Sequence, residues 1–130
     1  MLILTFVVLH YAPRFAVGLE NYWSARYLDE QINTQQPLVL LDVRTPAEFK
    51  SGHLEGAINM PMQALEQSLA DPDASLIKQY ENKTVVMICL SGSRANKATR
   101  WLQARGLKTQ VKILDGGMKA WRGEKLTVVH

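Results

Sequence analysis

The chain has one cysteine, Cys89, in a segment whose residue types suit nucleophilic chemistry on an anion. The segment falls between a predicted strand and a predicted helix, where backbone N–H groups and the helix N-terminus together attract negative charge. A cysteine sulfur at the centre of such a loop is stabilised as the thiolate, which is the form that attacks. The residues of this loop are Cys89, Leu90, Ser91, Gly92, Ser93 and Arg94.

Gly92 and Arg94 strengthen this interpretation of the loop. Gly92 permits backbone conformations that are closed to other residues. Arg94 brings a full positive charge to the first turn of a helix, where a cation costs about 0.3–1 kcal/mol, a cost that is tolerable if an anion occupies the loop. A lone cysteine at a strand end is more commonly a small buried apolar residue. With Gly92 and Arg94 behind it, Cys89 is instead predicted to be the catalytic nucleophile, and the other five loop residues are predicted to bind the substrate.

The elements around this loop are predicted from apolar runs and helix caps. Strands are expected at 38–41, 57–59, 84–88 and 111–114, and the continuous β-branched run at 84–88 is typical of a central parallel strand. Three helices are expected to begin at caps: at Ser24, at the capping box Thr45-Pro46-Ala47-Glu48, and at Asp71-Pro72, from which a helix runs to about Tyr80. Three more are expected along 62–69, in the segment that ends at Gly106, and at Met118–Trp121 after an Asp115-Gly116-Gly117 turn. The alternation predicts an α/β domain with helices on both faces, in which ligands lie beyond the carboxyl ends of the strands.

Composition limits the number of domains and the kinds of metal or disulfide site that the chain can form. A chain of 130 residues with 47% hydrophobic and 21% charged residues is expected to form one globular domain. One cysteine excludes an intramolecular disulfide and a cysteine-rich zinc site, and the three histidines show no metal-ligand spacing. Neither a metal nor a cofactor is therefore expected.

The N-terminal segment stands apart from the alternating pattern. Residues 1–21 are predicted to be an extension of a domain that covers 22–130. Their apolar run is too short to span a bilayer, and they lack a basic start and a small-residue cleavage site, so no signal peptide is expected. An added edge strand, a weak membrane association of residues 1–20 and an irregular extension stay open, and a packed or frayed extension is favoured.

Charge divides unevenly along the chain. Residues 1–80 hold 5 Lys and Arg against 9 Asp and Glu, whereas residues 81–130 hold 10 against 3. A basic C-terminal part can be a solvated face, or can attract a small anion or an acidic partner. Nucleic acid is not an expected partner, because the basic residues lack the interleaved aromatic residues of a binding stripe.

Three blocks of the sequence, in the same order, resemble the rhodanese-homology domain family over about residues 22–124. The first runs from Leu41-Asp42-Val43-Arg44 to Met60-Pro61 and includes Gly52-His53-Leu54-Glu55-Gly56-Ala57. The second is the C-x-x-G-x-R pattern from Cys89 to Arg94, and the third is Leu114-Asp115-Gly116-Gly117-Met118-Lys119-Ala120-Trp121. The resemblance implies a single rhodanese-like α/β domain with a five-stranded, mainly parallel sheet and helices on both faces.

The resemblance also implies thiosulfate sulfurtransferase-like activity. Cys89 would take the outer sulfur of a small anionic donor such as thiosulfate, become a persulfide, and pass the sulfur to cyanide, a thiol or a protein acceptor. The N–H groups from Leu90 to Arg94 would hold the persulfide and the oxygens of the donor. A lone thiol of this chemistry fits the reducing cytoplasm.

Other functions compete with this one. In a cysteine phosphatase the loop places five residues between the cysteine and the arginine, whereas four lie between Cys89 and Arg94, so phosphatase activity is not expected. A persulfide carrier, or a rhodanese module that binds a partner with little thiosulfate turnover, stays open. Asp42, Arg44 and Glu48 are interpreted as a salt-bridged scaffold rather than as catalytic residues.

Overall fold

A computed structural model describes residues 17–73, 75–106 and 109–130 of the chain. Within these residues one sheet contains five parallel strands in the order β1-β5-β4-β2-β3. They are β1 (Tyr22–Trp23), β2 (Leu38–Asp42), β3 (Ile58–Asn59), β4 (Thr84–Ile88) and β5 (Gln110–Leu114). The central place predicted for the run 84–88 is confirmed, because β4 is the third strand of the five.

Helices connect the strands and cover the sheet. They are α1 (Ala25–Asn33), α2 (Pro46–Lys50), α3 (Met62–Ala70), α4 (Ser75–Gln79), α5 (Ser93–Ala104) and α6 (Gly117–Gly123). A short 3-10 turn at Leu19–Asn21 precedes β1. The α/β fold that the sequence predicts is thereby confirmed.

Two helix starts follow the predicted caps. The Ser24 hydroxyl accepts the Tyr27 N–H over 3.1 Å at the start of α1. At the start of α2 the Thr45 hydroxyl accepts the Glu48 N–H over 3.2 Å, while Oε1 of Glu48 accepts the Thr45 N–H over 3.1 Å. This reciprocal capping box satisfies two donors that a short helix would leave without partners.

Three predicted boundaries are wrong. The helix expected from Asp71-Pro72 begins only at Ser75, because the Asp71 carboxylate accepts the Asp73 N–H over 3.0 Å and closes a turn instead. No strand was expected at Tyr22–Trp23, since two residues are too few to show a period, yet β1 pairs with β5. The last helix begins at Gly117, inside the turn predicted there.

The core lies on both faces of the sheet, as alternation along β4 illustrates. Val85 and Met87 belong to a buried cluster that includes residues of α3 and α5. Val86 and Ile88 belong to a second cluster that includes residues of α1 and α6. All four side chains are fully buried. The strand that leads to Cys89 is therefore fixed from both sides.

Most of the predicted N-terminal extension falls on residues 1–16, which lie outside the described residues. Of its remainder, Val17 packs against the core cluster that includes α3 and α5 residues, and the Asn21 amide donates to the Val111 carbonyl over 3.1 Å. None of the helices within 17–73, 75–106 and 109–130 is long and apolar enough to cross a membrane.

Candidate active site

Cys89 directly follows the last residue of β4, at the carboxyl edge of the sheet. Its side chain is buried, and its Sγ accepts two backbone hydrogen bonds, from the Gly92 N–H over 3.0 Å and from the Ala95 N–H over 3.4 Å. The α5 helix begins with the residue after Gly92 and brings the positive end of its dipole to the same sulfur. Donors and dipole together favour a negatively charged sulfur.

The conformation of Gly92 makes this arrangement possible. Its φ is 114°, a region that side-chain-bearing residues rarely adopt, and it caps α5 while its carbonyl accepts the Asn96 N–H over 2.9 Å. The glycine lets the chain reverse direction so that its own N–H faces back to the sulfur. The prediction that Gly92 adopts a conformation closed to other residues is confirmed.

The first turn of α6 holds the outer side of the loop. The Met118 N–H donates to the Cys89 carbonyl over 2.8 Å, and the Lys119 N–H donates to the Leu90 carbonyl over 3.0 Å. Gly117, with a φ of 60°, approaches so closely that a Cβ there would lie 2.5 Å from the Cys89 carbonyl oxygen. Because these carbonyls face α6, the loop can turn its N–H groups toward the sulfur.

Arg94 lies in the first turn of α5 and is held by Glu48 of α2. Its Nη1 and Nη2 donate to the two carboxylate oxygens over 2.7 and 2.8 Å. The hydrogen bonds from Arg94 lower the Glu48 pKa to about 2, against desolvation that raises it. The same bonds raise the Arg94 pKa, with smaller contributions from the charges of Glu48, Cys89 and Asp42. The full positive charge expected at Arg94 is therefore largely compensated by Glu48.

A second ion pair is buried beneath the first. Nε and Nη2 of Arg44 donate to the Asp42 carboxylate over 2.8–3.1 Å, and both side chains are fully buried. Arg44 also donates to the carbonyl oxygens of Glu48 and Gly52 over 3.2 and 2.8 Å. The pair thus joins the end of β2 to the middle of α2, which carries Glu48, and to the turn that follows this helix. Asp42 and Arg44 of the predicted scaffold form this salt bridge, whereas Glu48 pairs with Arg94 through its carboxylate and meets Arg44 only through its backbone carbonyl.

The other loop residues occupy the mouth of the site. Leu90 is half-buried, whereas Ser91 and Ser93 are exposed. Within the described residues, the donors to Sγ are backbone groups and no side chain bonds to it. Of the N–H groups expected in the cradle from Leu90 to Arg94, that of Gly92 reaches the sulfur. The Ala95 N–H was not predicted as a donor to the sulfur. A backbone N–H in the first helical turn is supplied by any residue other than proline, so the residue type does not indicate it.

His53 and Trp121, which belong to the blocks that resemble the rhodanese family, make their contacts away from the sulfur. The His53 ring stacks on Phe49 with centroids 3.7 Å apart, and its Nδ1 lies 2.8 Å from the Phe49 carbonyl oxygen. Trp121 is buried and donates to the Thr127 carbonyl over 3.0 Å. Neither residue hydrogen-bonds to Cys89. No cluster of three or more His, Cys, Asp or Glu side chains that could hold a metal occurs among the described residues.

Comparison with known proteins shows the family of the chain. Residues 24–124 match the family described as Rhodanese-like domain. A tRNA uridine(34) hydroxylase from Buchnera aphidicola is 31% identical over 106 residues, which cover 82% of this chain and 33% of that protein. The putative sulfurtransferase YtwF from Bacillus subtilis is 33% identical over 101 residues, covering 78% of this chain and 89% of that protein.

Solved structures show the same fold. A rhodanese-related protein from Thermoplasma volcanium aligns with a TM-score of 0.69 at 27% identity, covering 84% of this chain and 97% of that one. The chain spans about a third of the length of the tRNA hydroxylase and most of the length of YtwF.

Proposed function

The chain belongs to the rhodanese-like domain family, and we propose that it is a sulfurtransferase that moves sulfane sulfur through a persulfide on Cys89 to a nucleophilic acceptor. The observation that carries this proposal is the pair of N–H groups, from Gly92 and Ala95, that donate to the buried sulfur. Donors fixed in this way stabilise a thiolate before the reaction and a persulfide anion after it.

In the first step the Cys89 thiolate attacks the outer sulfur of a donor such as thiosulfate. A bond forms between Sγ and that sulfur, the sulfur–sulfur bond of the donor breaks, and its electron pair leaves with sulfite. No proton has to move if the thiolate is already formed. This fits a sulfur whose hydrogen-bond partners, within the described part of the chain, are backbone groups.

In the second step an acceptor nucleophile attacks the outer sulfur of the persulfide. Cyanide or a thiol forms a new bond to that sulfur, and the electron pair of the broken bond returns to Sγ. The cradle of the Gly92 and Ala95 N–H groups stays in place for both steps. No cofactor enters this scheme. A free thiol that must be regenerated suits a reducing compartment, and we propose the cytoplasm.

A persulfide carrier is the competing function. It would accept sulfur from a protein donor and hand it to a protein acceptor with little thiosulfate turnover. The exposed cations Lys97 and Arg100 on α5 and Lys119 on α6 are compatible with an acidic partner. The activity of the tRNA hydroxylase is not proposed for this chain, which covers only 33% of that protein.

Intact-protein mass spectrometry after incubation with thiosulfate tests the proposal. We expect the wild type to gain the mass of one sulfur atom, to lose it on addition of cyanide with formation of thiocyanate, and Cys89→Ser to gain nothing. A gain that survives in Cys89→Ser would contradict the assignment. A gain with a cysteine desulfurase as the donor but none with thiosulfate would favour the carrier.

A further inference from the structure

The bidentate pair of Glu48 and Arg94 changes the charge of the site. Both oxygens of the carboxylate are used, over 2.7 and 2.8 Å, and the two side chains are each about one-third exposed at the edge of the loop. A guanidinium engaged in this way presents a dipole to its surroundings rather than a free positive charge. Arg94 directly precedes Ala95, whose N–H donates to the Cys89 Sγ over 3.4 Å, so the pair lies close to the sulfur.

The other charges that the described residues bring near the loop are either buried and paired or exposed to solvent, as Lys97 and Arg100 on α5 are. Between Cys89 and Arg94 the loop contains no ionisable side chain. Beneath it, Asp42 is paired with Arg44. Beside it, the exposed Asp115 and Lys119 flank the start of α6 with opposite signs. The attraction for an anion at Cys89 therefore comes mainly from two N–H groups and one helix N-terminus, which is equivalent to roughly half a positive charge.

We propose that Glu48 determines donor specificity by cancelling the charge of Arg94, so that the cradle selects sulfane donors with one negative charge over donors with two. This inference rests on the sulfur transfer proposed above. A single negative charge is matched by the amides and the helix dipole. A second negative charge must be taken out of water while Arg94, the cation of the loop, is already paired with Glu48, and that is costly.

The donors that fit are compounds in which the outer sulfur carries the charge and the group behind it is neutral, as in a persulfide or a thiosulfonate. The Cys89 thiolate attacks the outer sulfur, the bond between that sulfur and its neighbour breaks, and the leaving group departs with the electron pair as a thiolate or sulfinate. The outer sulfur stays on Cys89 as a persulfide anion. No external oxidant, reductant or proton is required.

Two small donors that differ in charge provide the test. Thiosulfate is a dianion, and methanethiosulfonate is a monoanion in which a methyl group replaces one oxygen. Glu48→Gln removes the compensating charge and keeps an amide that can still cap α2. Glu30→Gln is the matched control, because Glu30 is exposed in the last turn of α1, toward the amino ends of the strands.

We expect the ratio of kcat/KM for thiosulfate to kcat/KM for methanethiosulfonate to rise about three- to tenfold in Glu48→Gln, because a freed charge acts twice as strongly on a dianion. In Glu30→Gln the ratio should match the wild type. The ratio is taken within each variant, so a loss of folded protein cancels. An unchanged or lower ratio in Glu48→Gln would overturn the proposal.

Alkylation gives a reading that does not depend on turnover. Iodoacetate is an anion and iodoacetamide is neutral, so the ratio of their rates at Cys89 reports the local potential. We expect this ratio to rise about threefold or more in Glu48→Gln, and not in Glu30→Gln. If the wild type formed no persulfide with either donor, sulfur transfer would be wrong. The alkylation ratio would still decide whether Glu48 sets the charge of the site, and an unchanged ratio would refute that role.

Discussion

The N–H of Gly92 lies 3.0 Å from the Sγ of Cys89 and is aimed at it by a φ of 114° that favours glycine. The residue that orients the donor is thus also the residue that begins the helix behind it. A residue that disfavours this φ at position 92 would alter both the hydrogen bond to Sγ and the start of α5, although no reacting atom belongs to Gly92.

Gly92→Ala is expected to strain the loop by about 1–3 kcal/mol and to slow persulfide formation about tenfold or more. A Cβ at this position would meet no atom closer than 3.9 Å, so the effect isolates backbone conformation from crowding. Gly106→Ala is the control, since Gly106 has a φ of 71°, is equally open, and follows the far end of α5. It should lose stability but retain the rate. Equal rates in both variants would contradict the role of the Gly92 N–H.

Gly117→Ala is expected to displace the loop by crowding. The added Cβ would lie 2.5 Å from the Cys89 carbonyl oxygen and 2.6 Å from Leu90 backbone atoms, and a φ of 60° adds strain. We expect a loss of more than about 1 kcal/mol in the free energy of unfolding together with a lower rate of Cys89 alkylation. In the same helix Gly123→Ala meets no atom within 4 Å and should keep both properties.

Arg44→Met is expected to cost about 3–5 kcal/mol, because it leaves the buried Asp42 carboxylate without its cation. Arg26→Met is the matched control. Arg26 pairs with Glu124 over 2.8 Å, but their side chains are 69% and 43% exposed, so its loss should cost less than about 1 kcal/mol. Urea unfolding of the three proteins measures the difference. Similar losses in both variants would mean that the buried pair does not fix the end of β2.

Stability should fall in acid partly through Glu48. The Glu48 pKa is lowered from 4.5 to about 2 in the folded protein. The stabilisation from the pair is therefore complete at a pH above 4.5, the pKa in the unfolded chain, and is lost as the pH drops from 4.5 toward 2. Because both partners are about one-third exposed, we expect about 1 kcal/mol. The difference in free energy of unfolding between wild type and Glu48→Gln, measured at pH 6 and at pH 2, should shrink by this amount. A difference independent of pH would show that the charge is not involved.

Hydrolysis of p-nitrophenyl phosphate should not depend on Cys89. Four residues between Cys89 and Arg94 leave a loop one residue shorter than in phosphatases, and Glu48 already occupies the guanidinium that would bind phosphate. The same preparation should form a persulfide from thiosulfate, which shows that Cys89 is reactive in the protein used. Phosphate release that disappears in Cys89→Ser would refute this expectation.

Much of the fold is visible in local sequence. The run 84–88 has the composition of a central strand, and Thr45 and Glu48 stand at the spacing of a capping box, so both are predictable without tertiary information. Asp71 misleads because the same carboxylate can cap a helix or close a turn, and the two differ only in which N–H it meets. The strand Tyr22–Trp23 is defined by its partner β5 rather than by its own residues.

The site was predictable where its parts are neighbours in the chain. The loop holds Cys89, Gly92 and Arg94 within six residues. These residue types predict a loop that binds an anion. The pairing of Arg94 with Glu48 spans 46 positions, and nothing in either segment specifies it. The support from α6 is likewise distant, and it is made by backbone groups that any residue other than proline supplies.

The contact between α6 and the Cys89 loop has a consequence for synthesis. The N–H groups that hold the Cys89 and Leu90 carbonyls belong to Met118 and Lys119, nearly thirty positions later. On a ribosome the thiol therefore emerges well before the helix that shapes its surroundings. A nascent chain halted ahead of Gly117 carries the cysteine without the helix that holds its loop, so the loop acquires its shape only after Met118 and Lys119 have been added.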